Sequence, residues 1–148
     1  MTYQEKRSLT FILTTTAVFS GYAAFIYILI PSGISPRLND FAFWGKTYLG
    51  LVPVVAVANI IATFTLRWIS KAIAPEALPA ITDERDRYIE LRAIWLSHCV
   101  FVAGFLAAMA TQALGAAPYV MFVTLGAAGF LSALTTEAAK LYLYRTGA

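Results

Sequence analysis

Four stretches of the chain, 9–30, 48–66, 93–114 and 119–136, carry no charged residue at all. A helix needs about 20 mostly apolar residues to cross a hydrocarbon core of about 30 Å. These four come close to or exceed that length. They are apolar on every side and show no two-residue alternation, which argues against the strands of a transmembrane barrel. The pattern predicts an all-α, polytopic integral membrane protein: an antiparallel four-transmembrane-helix bundle over about 9–30, 47–68, 90–114 and 118–140, forming one membrane domain over 1–148.

The interruptions fit that reading. Pro31 closes the first run, and Lys46 and Arg67 bound the second. Pro75 and Pro79 forbid a continuous helix between the second and third runs. Gly115, Ala116 and Ala117, ended by Pro118, predict a tight antiparallel hairpin of the last two helices. Pro53 removes one backbone hydrogen bond from the second helix and predicts a bend there. Lys6 and Arg7 precede the first run as they would a secretion signal, but signal cores span about 7–15 residues, so a retained anchor is expected.

Composition agrees with a lipid solvent. Hydrophobic residues make up 59% of the 148 and charged ones 13%, well below the roughly 25% of soluble domains. The net charge is +3, yet the basic residues form no long run and no aromatic-interleaved patch, so nucleic acid is not an expected partner. They sit at the ends of the apolar runs. With both termini and the second connection on one side, nine Lys and Arg lie there and two opposite. The positive-inside rule makes that side the cytoplasm, with both termini in it. Tyr27, Trp44, Tyr48 and Tyr119 then fall at the outer interface as anchors. Cys99 cannot form an internal disulfide and reads as a small buried hydrophobe.

One stretch changes character midway. Residues 83–92 hold seven charges (Asp83, Glu84, Arg85, Asp86, Arg87, Glu90 and Arg92), and 93–114 hold none. Thr82 or Asp83 can cap a new helix whose first turn is acidic, as the helix dipole favours. The third helix is therefore expected to begin in the cytosol from about 83, with Asp83–Arg87 and Glu84–Arg87 pairs on its surface. The charges form a collar that is either simply solvated or docks a partner. Acidic and basic residues alternate in it, which disfavours a polybasic lipid patch. The run over 83–93, between the second and third of four apolar helices, resembles a feature of a family of small prokaryotic membrane proteins of unknown function. That resemblance implies a four-helix inner-membrane fold and no established activity.

Depth arithmetic singles out a second group. At about 1.5 Å per residue, Thr14 and Thr15 lie roughly 8–11 Å inside the cytoplasmic boundary, Asn59 about 11 Å and His98 about 6–8 Å. Glu137 lies near the inner end of the fourth helix, where it can snorkel or pair with Lys140 one turn on. These polar residues either hydrogen-bond between helices or line a cytoplasm-facing cavity, where His98 and Glu137 could exchange protons or bind a solute. Ala17 and Gly21, Gly104 and Ala108, and Gly129 and Ala133 stand four apart, the spacing at which helices in lipid approach closely.

Catalytic patterns are missing. One Cys and one His cannot build a zinc or bis-His haem site. No dinucleotide, phosphate-loop or hydrolase motif occurs. An enzyme is not expected, and neither is a cofactor. Two functions remain: an accessory, regulatory or oligomeric membrane subunit that acts by association with its own copies or another membrane protein, and a small transporter or channel component.

Overall fold

Helices form wherever the apolar runs are uninterrupted, and they continue beyond them into the flanking polar residues. The computed structural model of the chain describes residues 3–29, 38–73 and 84–146. Within them lie α1 (Tyr3–Leu29), α2 (Phe41–Ile73), α3 (Glu84–Ala113) and α4 (Pro118–Thr146). All four are long and apolar enough to cross a membrane. The expected cap at Thr82 or Asp83, the Asp83–Arg87 pair, and the breaks at Pro31, Pro75 and Pro79 lie outside the described residues.

The helix ends have local causes. The Asp40 carboxylate accepts a hydrogen bond from the Ala42 backbone N–H at 2.9 Å, which caps α2. At the end of α3, Gly115 takes φ +75°. There the Gly115 N–H donates to the Gln112 carbonyl at 3.0 Å and the Ala116 N–H to Thr111 at 2.9 Å. This is the Schellman pattern, which uses the left-handed backbone that glycine adopts at least cost. Pro118 then opens α4, where its missing N–H is not needed. Helix α2 runs unbroken through Pro53.

Packing is uneven. The main interface joins α3 to α4; α4 also packs on α1, and α1 on α2. Among the described residues α2 and α3 share no packed interface, so the helices follow the spatial order α2, α1, α4, α3. The Ser132 hydroxyl donates across to the Ser97 carbonyl at 3.0 Å. One helical stretch on, Gly104 faces Ala128 so closely that a Cβ there would stand 3.2 Å from the Ala128 Cα and nearer still to its Cβ. Ile89, Ala93 and Ala108 on the same face of α3 have no exposed surface. Between α1 and α4, Phe19 stacks on Phe130 with ring centres 4.5 Å apart. Further along, Glu5 meets Arg145. These two helices are therefore antiparallel, and the two described chain ends lie together.

The opposite end is aromatic. Trp44 is 1% exposed and stacks on Phe122 at 5.5 Å and 8°. Its indole N–H donates to the Leu38 carbonyl at 2.6 Å. The Tyr48 hydroxyl donates to the Phe122 carbonyl, and it fits because Gly126 has no side chain in its way. Phe19, Tyr22, Ile26, Trp44 and Tyr48 surround an apolar cavity of about 310 Å³.

Trp44 is a core residue and Tyr48 is half-buried against α4. Two expectations are corrected here. Of the three small-residue steps, Gly104 and Ala108 are in close packing, whereas Gly21 and Gly129 face open space. Cys99 is exposed rather than buried. The shared reason is that spacing along a helix fixes which residues share a face, and not which way that face points.

Candidate functional site

Where the chain ends meet, the first turns of α1 and α3 and the last turns of α4 all carry polar residues. Each helix outruns its apolar stretch at this end, so the surplus turns come together. Gln4, Arg7 and Ser8 from α1, Asp86 and Glu90 from α3, and Glu137, Lys140 and Tyr144 from α4 enclose a cavity of about 110 Å³. A space of that size and polarity accommodates ordered water.

The periodicity of each helix explains the gathering. Asp86 and Glu90 stand four apart on α3, on the same flank as the buried Ile89 and Ala93. Glu137, Lys140 and Tyr144 stand three and four apart on α4. Gln4 and Arg7 stand three apart on α1, with Ser8 beside them only 3% exposed.

Its charges are mixed: three carboxylates against Arg7 and Lys140. Lys140 Nζ donates to Glu137 Oε1 at 2.9 Å, and the two side chains are 19% and 15% exposed. Arg7 also lies over the Phe11 ring at 5.8 Å. Tyr144 faces Asp86 and Glu90, with Arg7 alongside. Just outside, Arg145 Nε meets Glu5 Oε1 at 3.4 Å. Deeper along α3 the interior becomes dry and close-packed, since Ala93 is fully buried and Ser97 is 8% exposed. Among the described residues, no group of three His, Cys, Asp or Glu side chains could hold a metal ion. The arrangement is suited to charge pairing and water ordering across three helices.

Of the five polar residues placed at one depth, only Glu137 lines this cavity. Thr14 and Thr15 are half-buried elsewhere on α1. Asn59 belongs to α2; its Oδ1 is buried without a hydrogen-bond partner, while its backbone carbonyl accepts from Thr63 at 2.8 Å. His98 is exposed, one residue along from the buried Ser97, so it does not join Glu137. The five do not form one cluster.

The collar divides. Asp83 lies outside the described residues. Asp86 and Glu90 line the cavity, Asp86 half-buried and Glu90 still exposed. Glu84, Arg85, Arg87 and Arg92 are exposed. Arg92 lies over the Tyr88 ring at 5.9 Å and donates to its hydroxyl at 3.4 Å.

Sequence reasoning paired Lys140 with Glu137, as found, but missed Gln4, Arg7, Ser8 and Tyr144 as members of a site, having treated them as flanks of the apolar runs. Their signal was present as three- and four-residue spacing in polar side chains at helix ends that meet. Compared with protein-family models, curated proteins and solved structures, the chain matches none.

Proposed function

We propose that this chain is a multi-pass inner-membrane protein with both termini in the cytoplasm, and that it acts by association with further membrane helices rather than by chemistry. The membrane reading is supported by four helices of sufficient length and apolarity and by the basic residues gathered at the ends of those helices. The pairing of Glu5 with Arg145 is consistent with an even number of crossings.

The observation that carries association is the open side of the array. Helix α2 has 33 residues, and among its described side chains only Trp44 is buried. It leans on α1 and is clasped to α4 near its first turns. Val57, Ile61, Phe64 and Trp68 form one outward stripe along it, Phe64 70% and Trp68 82% exposed. A second copy or another helical subunit fits that stripe. Transport is the weaker reading because the polar cavity ends against the close-packed α3–α4 interface.

Crosslinking in native membranes tests the proposal. In a Cys99→Ser background, Phe64→Cys is expected to give a discrete covalent dimer or one adduct of defined mass. Leu13→Cys, equally exposed on α1 at 69%, is expected to give none. Equal labelling at both positions, with only monomer in native mass spectrometry, would overturn association. Reporter fusions at the two termini test orientation separately, and opposite-side signals would overturn it.

A further inference from the structure

A second groove opens between α3 and α4, on the opposite flank of their interface from the charged cavity. It measures about 780 Å³, within the range of small-molecule sites. Its walls include Arg92, Trp95 and Leu96 from α3 and Ala139, Tyr142 and Thr146 from α4. Among its nine lining residues Arg92 alone is charged. Asp86 and Glu90, which would cancel an anion-binding field here, line the other cavity instead. Arg85 stands seven residues, about two turns, before Arg92 and so lies near the same flank.

We propose that this groove binds one anionic phospholipid, with its phosphate on Arg92 and one acyl chain lying along the floor made by Leu96, Ala138 and Ala139. The inference rests on the membrane reading above. Its physical basis is threefold. Arg92 is the last charge before the uncharged run 93–114, which sets it at headgroup depth in a bilayer. A guanidinium has five N–H donors in a planar fork suited to phosphate, and the contact with Tyr88 engages one of them. Trp95 and Tyr142 are 67% exposed each and supply the amphipathic rings that settle at the interface. The groove continues from that charge into apolar wall, which suits a lipid and not a free anion. A zwitterionic headgroup brings its own cation to Arg92 and is held less well; basic pockets between cytoplasmic helix ends select anionic lipids for this reason.

The test uses the full chain, purified in mild detergent and examined by native mass spectrometry with phosphatidylglycerol, phosphatidylcholine or inorganic phosphate. One retained phosphatidylglycerol is expected, with little phosphatidylcholine and no phosphate adduct. Arg92→Gln should weaken that retention about tenfold, the contribution of one charge-assisted hydrogen bond. Arg92→Lys should keep part of it. Ala139→Leu should abolish it by filling the floor with the charge intact, and the lipid-free melting temperature of each variant reports whether the fold survives. Arg87→Gln, exposed on another face of α3, should change nothing. Equal retention of both lipids, binding of phosphate alone, or an Arg87→Gln loss as large as that of Arg92→Gln would overturn the proposal. A chain that stays monodisperse without surfactant would instead overturn the membrane reading on which it rests.

Discussion

At the end where α1 meets α2, contact is made by rings: Trp44, Tyr48 and Phe122 interlock, and their polar atoms are spent on backbone carbonyls. Where the chain ends meet, contact is made by charges around a polar cavity, with Lys140 on Glu137 and Arg145 on Glu5. Ring packing depends on shape and is indifferent to salt. Partly exposed ion pairs contribute about 0–1 kcal/mol each, are screened by salt and rearrange easily. The first end therefore fixes the arrangement of helices, and the second can adjust without undoing it.

That contrast can be broken most forcefully at Trp44. Trp44→Ala removes the one buried side chain among the described residues of α2 and its hydrogen bond to Leu38, and is expected to cost about 3 kcal/mol, read as a fall in melting temperature that salt does not alter. A salt-dependent loss there would erase the distinction between the two ends. Lys140→Gln should come next, at about 1–2 kcal/mol, because it leaves the largely covered Glu137 without its cation. Its effect should shrink as salt rises, which comparison of melting temperatures at low and high ionic strength checks. Arg145→Gln should be smallest, at about 0.5 kcal/mol or less, since that side chain is 60% exposed. If it matched Lys140→Gln, exposure would not be what separates the two pairs.

The sequence made the helices legible because an uncharged run of some twenty residues has few other solutions. Gly115 and Pro118 made the last turn legible because each carries a backbone constraint of its own. What stayed hidden was azimuth. In a soluble helix the apolar stripe shows which side faces inward, but helices apolar all round carry no such stripe. Ser97 and His98 are neighbours at almost the same depth along α3, and one is buried while the other is exposed. The same gap explains Cys99, read as buried and found exposed. Tyr144 and Arg7 were hidden for another reason: they are more than a hundred residues apart, and only the antiparallel return of α4 along α1 brings them together.

The four-residue link between α3 and α4 bears on how such a chain would be built. Leu114 to Ala117 contains neither charge nor side-chain polar group, so carrying it across a bilayer during synthesis would strip water from little more than backbone, much of it already hydrogen-bonded by the Gly115 turn. The last two helices are thereby equipped to enter as a preformed pair, already locked through Gly104 and Ala128, whatever the fate of the longer connections upstream.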